Sequence, residues 1–140
     1  MINIEKTLYT GHTYTTGGRE GCGRSHDGRL DLKLSPPGAP GTGTNPEQLF
    51  AICWSACFLG SLRHACNARK ITFPPMAGVD AQVDLIHGEQ GFAIQARLVV
   101  SLPDIESDTA LQLIEAANQN CPYSYPINPF DLTTVWPHRD

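Results

Sequence analysis

Cysteine is the residue type in this chain with the greatest capacity for chemistry. Cys53 and Cys57 lie four positions apart in the apolar run AICWSACFLG (residues 51–60), so on a helix both thiols would occupy nearly the same face. Cysteines at this spacing rarely reach disulfide geometry. Three interpretations follow: a thiol pair, one reactive thiol beside a bystander, or two small core residues, since free cysteine is among the most buried residue types.

The whole chain sets limits on what these thiols can do. It has 140 residues, 41% of them hydrophobic, which predicts one domain over residues 1–140 with a real core. The odd number of cysteines, five, and the lack of a visible export signal argue against a disulfide framework and predict a cytoplasmic protein. A net charge of −4 without a dense basic cluster disfavours nucleic-acid binding. The uncharged run from Gln48 to Leu62 is shorter than the roughly 20 residues of a membrane span, so we expect a core helix and no membrane association.

Cys121 differs from the other cysteines in its surroundings. It follows a predicted helix end, precedes Pro122 and has polar neighbours, so we expect its thiol to be mobile or exposed. A metal site would have to combine Cys53, Cys57 and His64, and it lacks a fourth ligand. We therefore expect no metal, and a serine hydrolase is disfavoured because no GxSxG turn occurs.

A reactive thiol needs a cation beside it, because the thiolate is the nucleophile and a buried thiol otherwise stays protonated. Arg19 in TTGGREG is the candidate, since the glycines around it let the backbone approach a partner closely. Read alone, the same motif favours an ordinary surface arginine at a strand end.

The elements that must position these side chains follow from periodicity. Leu30, Leu32 and Leu34 alternate with polar residues, as in a half-buried strand, and Asp27-Gly28 predicts a turn before them. A helix is predicted from Asn45 to about Arg69; Pro46 suits its first position, and its middle is apolar on all sides, as in a helix that runs through a core. Alternating segments at 79–85 and 92–102 predict a long antiparallel hairpin, 108–119 a second helix and 131–136 a last strand. The fold class is therefore α+β with antiparallel sheet.

Four stretches together resemble one known family: TGGREG, SHDGRLDLKL, TNPEQLFAICWSACF and CPYS at residues 121–124. In this order, over roughly residues 8–136, they resemble the organic hydroperoxide resistance branch of the OsmC-like superfamily. The resemblance implies an OsmC-like fold, in which antiparallel β-sheets flank long central helices in an intertwined homodimer.

The same resemblance implies a thiol-dependent peroxidase without a cofactor, which reduces organic and fatty-acid-type hydroperoxides to alcohols. Cys57 matches the family's peroxide-attacking cysteine and Cys121 its resolving cysteine, while Arg19 and Glu47 match its paired arginine and glutamate. The implied reductant is a lipoylated protein or dihydrolipoamide. Cys22, Cys53 and Cys66 have no part in the family mechanism. Phe50, Phe58 and Phe92 are candidate linings for a lipid-like substrate.

Geometry adds one expectation to the resemblance. Glu47 and Cys57 are separated by ~15 Å along a continuous helix, at about 1.5 Å per residue. Either the helix is interrupted near residues 45–49, or Glu47 serves Cys57 of the partner chain; we predict the second. Two other functions remain open: an OsmC-type peroxidase with a different peroxide preference, and a non-catalytic redox-sensing or hydrophobic-ligand-binding domain.

Overall fold

The computed structural model of the chain describes residues 6–124 and the backbone of residues 132–138. Six strands and two helices follow one another in the order β-β-β-α-β-β-α-β, with a short 3₁₀ turn at Gly18–Glu20. The elements are β1 Thr13–Thr16, β2 Cys22–Ser25, β3 Asp31–Lys33, α1 Pro46–Ala68, β4 Gly78–Gly88, β5 Gly91–Ser101, α2 Ser107–Asn120 and β6 Leu132–His138. The predicted α+β class is confirmed.

The first 46 residues, Met1–Pro46, form one compact unit built on the antiparallel sheet β1-β2-β3. The predicted turn joins β2 to β3: Gly28 adopts a φ of 75°, which glycine tolerates without steric cost. Asp27 fixes the turn, because its carboxylate accepts hydrogen bonds from the Ser25 hydroxyl (2.6 Å) and from the Arg29 backbone N–H (3.0 Å).

The second unit, Glu47–Asp140, contains both helices and the sheet β4-β5-β6. β4 and β5 form the predicted antiparallel hairpin, paired without interruption from Gly78 with Ser101 to Gly88 with Gly91. β6 pairs with β5 in the parallel direction, so this sheet is mixed. A parallel pairing requires a crossover, and α2 supplies it. The prediction of a single domain over residues 1–140 stays a prediction.

The core of the second unit lies between α1, β5 and α2. Its fully buried side chains recur at helical spacing on α1 and α2 and at every second position of β5. They include Trp54, Phe58, Leu62, Cys66, Leu98, Val100, Leu113 and Ala117.

Only one side of α1 is buried in the single chain, although its sequence is apolar all round. Ile52 is 68% exposed, and Cys53, Ala56 and Gly60 are exposed beside it. Helix α1 is long and apolar enough to span a membrane, but core helices can have the same length and composition. The prediction that core residues surround this helix therefore holds for one of its sides only, because the described part of the chain packs against that side alone.

Candidate active site

Helix α1 positions Cys57. The helix begins at Pro46, whose missing N–H costs nothing in the first turn, and it runs without interruption to Ala68. Trp54 and Phe58 anchor it to the core, with exposures of 1% and 0%. Cys57 lies at the flank of this buried face and is half-buried. Its thiol is thus held by a rigid element and is still partly accessible.

Cys121 is positioned by the end of helix α2. The side chain of Glu106 caps the start of that helix by accepting hydrogen bonds from the backbone N–H groups of Asp108 (3.2 Å) and Thr109 (3.4 Å). The helix ends after Asn120, because Pro122 cannot continue it. Cys121 has extended backbone angles and is fully buried. The expectation from its polar neighbours, an exposed or mobile thiol, is wrong for this state of the chain.

The structure brings Cys57 and Cys121 into contact. Both are free thiols, and Cys121 is the side chain beside Cys57 that acts on its thiol. The backbone N–H of Tyr123 is a further polar neighbour of the Cys57 sulfur. Two neighbouring thiols are placed to form a disulfide once one of them is oxidised to a sulfenic acid. Of the three interpretations of Cys57, the arrangement favours a reactive thiol whose partner is Cys121 and not Cys53.

The surroundings of Cys57 in this chain favour the neutral thiol. Burial raises the pKa of Cys57 above its ordinary value, and the neighbouring Cys121 raises it further, chiefly through charge repulsion. The N–H of Tyr123 acts in the opposite direction, because it stabilises the thiolate. A nucleophilic role for Cys57 therefore requires a cation that outweighs burial and Cys121.

A second contact holds the CPYS segment against α1. The indole Nε1 of Trp54 donates a hydrogen bond to the Ser124 hydroxyl at 3.2 Å, and the Ser124 N–H donates to the Cys121 carbonyl at 3.1 Å. Phe50 packs edge-on against the Trp54 ring, with 5.6 Å between ring centroids. The sequence patterns did not single out Trp54 or Ser124 as site residues. The CPYS motif contains Ser124 and could have indicated it.

Arg19 lies in the first unit, in the 3₁₀ turn Gly18–Glu20 that links β1 to β2. Gly17 and Gly18 have φ values of 74° and 59°, and a Cβ on Gly21 would collide with the Thr16 carbonyl. Only glycine fits these backbone positions, so the glycines around Arg19 fix the path of the turn that carries it.

Glu47 is the second residue of α1. Because α1 is continuous, the helix separates Glu47 from Cys57 of the same chain by ~15 Å. An interruption near residues 45–49, one of the two alternatives, is absent from this described part of the chain.

The remaining cysteines have separate surroundings. Cys22 and Cys53 are exposed, whereas Cys66 is fully buried, which raises the pKa of its thiol. Within residues 6–124, no group of three or more histidine, cysteine, aspartate or glutamate side chains is close enough to hold a metal ion.

The three phenylalanines predicted to line a substrate site lie in different parts of the structure. Phe58 lies in the core, and Phe92 is 76% exposed at the end of the β4–β5 hairpin, beside His87. Of the three, Phe50, which packs on Trp54, adjoins the segment that carries Cys121.

Comparison with known proteins places this arrangement in a family. The family model for OsmC-like proteins matches residues 39–134, which include α1 and both cysteines. The chain belongs to the OsmC-like family. This OsmC-like chain is 41% identical over 128 residues to the organic hydroperoxide resistance protein of Xanthomonas axonopodis pv. citri (strain 306), with 89% of this chain and 90% of the relative aligned.

Solved structures agree with this assignment. The crystal structure of the organic hydroperoxide resistance protein OhrB of Bacillus subtilis has a TM-score of 0.82 and 37% identity to this OsmC-like chain, covering 93% of it and 96% of the Bacillus chain. A Vibrio cholerae protein described as a putative organic hydroperoxide resistance protein, with captopril bound in one of its active sites, has a TM-score of 0.85 and 35% identity. That comparison covers 95% of this chain and 92% of the Vibrio chain.

Proposed function

We propose that this OsmC-like chain is a thiol-dependent peroxidase that reduces organic, lipid-type hydroperoxides to alcohols. The observation that carries the proposal is the proximity of two free thiols, Cys57 on α1 and Cys121 directly after α2. The relatives named organic hydroperoxide resistance proteins support the choice of substrate class.

The reaction proceeds in three balanced steps. The Cys57 thiolate attacks the O–O bond of the hydroperoxide; with one proton, the products are the alcohol and the Cys57 sulfenic acid. The Cys121 thiol then condenses with the sulfenic acid, which forms the Cys57–Cys121 disulfide and releases water. An external dithiol reduces this disulfide by exchange and is itself oxidised to a disulfide. The proximity of the two thiols before oxidation supports fast condensation.

Arg19 and Glu47 supply the electrostatics of the first step. Burial and Cys121 both raise the pKa of Cys57, and a guanidinium beside the sulfur would lower it. In the proposed site Arg19 stabilises the thiolate and donates a hydrogen bond to the peroxide, while Glu47 orients Arg19 by a charge-assisted pair.

The active protein is a homodimer, and Glu47 acts on Cys57 of the partner chain. The uninterrupted helix α1 supports this assignment, because it keeps Glu47 far from Cys57 of its own chain. The exposed strip of α1 formed by Ile52, Cys53, Ala56 and Gly60 also supports it. Small and apolar side chains on an open helix face allow a second helix to pack closely.

The proposed reductant is a dihydrolipoyl group, free or on a lipoylated protein. It is a compact dithiol, which suits a site where Cys57 is half-buried and Cys121 is fully buried. A cytoplasmic location is part of the same proposal, because the mechanism requires thiols that are reduced again after each turnover.

Thiol titration tests the proposal. One equivalent of cumene hydroperoxide should remove two free thiols of five per chain, and peptide mass spectrometry should find Cys57 linked to Cys121. Cys57→Ser should lose all turnover with dihydrolipoamide, and Cys121→Ser should stop at the sulfenic acid. Cys22→Ser, at an exposed thiol outside the pair, is the control.

Thiols that stay intact would refute the peroxidase and favour a binding domain. Faster turnover of hydrogen peroxide than of cumene hydroperoxide would favour the alternative function, an OsmC-type peroxidase with a different peroxide preference.

A further inference from the structure

A cavity lies between helices α1 and α2. Its volume is about 610 Å³. Polar side chains at its wall are Ser61, His64, Arg69 and Asn120, and three alanines form the rest. All belong to the second unit, and none has a role in the proposed peroxidase chemistry.

Neither cysteine lines the cavity, but two residues at one of its ends are close to them in the chain. Ser61 is one helical turn beyond Cys57 on the same face of α1, a rise of ~6 Å. Asn120 directly precedes Cys121. The cavity therefore begins within one turn of the sulfur that is proposed to react.

The other end of the cavity is cationic. Arg69 lies ~18 Å beyond Cys57 along the helix direction, and its guanidinium donates a hydrogen bond to the Gln112 side chain at 3.2 Å. This bond ties the last turn of α1 to α2 and orients the guanidinium, which has five N–H donors in all. No aspartate or glutamate of the described residues lines the cavity, although the chain as a whole carries a net charge of −4.

The wall between the two ends is apolar. Ala65 and Ala116 are half-buried and Ala68 is exposed, each on the cavity side of its helix. A small apolar floor that ends at an arginine suits an amphiphile with an aliphatic chain and a terminal anion.

We propose that this cavity binds the carboxylate end of straight-chain fatty-acid hydroperoxides, with the carboxylate at Arg69 and the chain over the alanines toward Cys57. This inference rests on the proposed peroxidase function and narrows its substrate class. Arg69 is then a specificity-determining residue, and it discriminates the free acid from its ester because only the acid carries the charge.

The test compares three substrates: linoleic acid hydroperoxide, its methyl ester, and cumene hydroperoxide, each below its micelle concentration and with dihydrolipoamide as reductant. The unsubstituted enzyme should have a lower KM for the acid than for the ester. Arg69→Gln should raise the KM for the acid about fivefold, the upper end for a partly exposed ion pair, and should leave the kcat for the acid and the KM for the ester unchanged. Arg69→Lys should restore most of the preference.

Arg63→Gln is the matched control. Arg63 lies on the same helix, over the Phe73 ring at 4.2 Å, and does not line the cavity. It should leave the acid-to-ester ratio unaltered. Equal KM values for acid and ester in the unsubstituted enzyme, or equal effects of the Arg63 and Arg69 variants, would overturn the inference. Cumene hydroperoxide distinguishes failure of this inference from failure of the proposed function. Turnover of cumene hydroperoxide without a preference for the acid over the ester refutes the carboxylate site alone. No turnover of any of the three substrates refutes the peroxidase itself.

Discussion

The Trp54 indole and the Ser124 hydroxyl form a hydrogen bond of 3.2 Å across 70 residues of sequence, and this bond holds the segment that carries Cys121 against the helix that carries Cys57. Trp54 is 1% exposed, so its N–H has no access to water as an alternative partner. The bond therefore contributes both to stability and to the approach of Cys121 to Cys57.

Ser124→Ala should destabilise the chain and slow disulfide formation. It leaves the buried Trp54 N–H without an acceptor, which costs about 1–3 kcal/mol of unfolding free energy. Urea denaturation measures this cost, and stopped-flow loss of thiols after cumene hydroperoxide measures the rate. Ser55→Ala is the control, because the Ser55 hydroxyl bonds to the Ala51 carbonyl of its own helix. Equal unfolding free energies for the two variants would contradict the assigned role of Ser124.

Cys121→Ala should lower the pKa of Cys57. Burial and Cys121 raise that pKa together, and the variant removes the contribution of Cys121 while most of the burial stays. The thiolate of Cys57 then forms at lower pH, so its alkylation by iodoacetamide should reach half its maximal rate at lower pH than in the unsubstituted chain. Cys22→Ala should leave the profile of Cys57 in place. An upward shift in Cys121→Ala would show that the sign of the Cys121 effect is wrong.

Gly60→Glu should yield a folded monomer with little peroxidase activity. A Cβ at Gly60 meets nothing within 4 Å inside the chain, so the fold should accept the side chain. A buried, unpaired carboxylate between two α1 helices would be costly. Light scattering measures the mass and circular dichroism the fold. Gly88→Glu, at a hairpin glycine that is equally open, should remain dimeric. A dimeric Gly60→Glu protein would place the subunit interface elsewhere.

Local sequence signals were sufficient for the elements of this fold but not for all of their contacts. The start of α1 at Pro46 and the hairpin of β4 with β5 follow from capping residues and alternation, which act within a few residues. The parallel pairing of β6, the burial of Cys121 and the bond from Trp54 to Ser124 depend on segments far apart in sequence. Spacing left Cys53 open as a partner of Cys57, whereas the cysteine that acts on the Cys57 thiol in the structure is Cys121, far away in sequence.

Complementation between an impaired and an inactive chain tests whether Glu47 acts across the subunit interface. Glu47→Gln removes the charge that orients Arg19, and we expect it to lower kcat/KM about tenfold, the loss of one charge-assisted hydrogen bond. Cys57→Ser should be inactive. In a heterodimer of these chains, one site combines the intact Cys57 of the first chain with the intact Glu47 of the second. If Glu47 acts in trans, this site is complete and the heterodimer regains about half the activity of the unsubstituted dimer.

The heterodimer must be purified with two different affinity tags, so that neither homodimer contributes to the measured rate. Its control is a heterodimer of Cys57→Ser with a chain that carries no substitution, which also has one intact Cys57 and should show the same half activity. Action within one chain predicts a different result: the intact Cys57 then shares its chain with the Glu47→Gln substitution, and the first heterodimer has no more activity per intact Cys57 than the Glu47→Gln homodimer. The continuous helix from Pro46 to Ala68 favours the first result, because it leaves Glu47 and Cys57 of one chain ~15 Å apart.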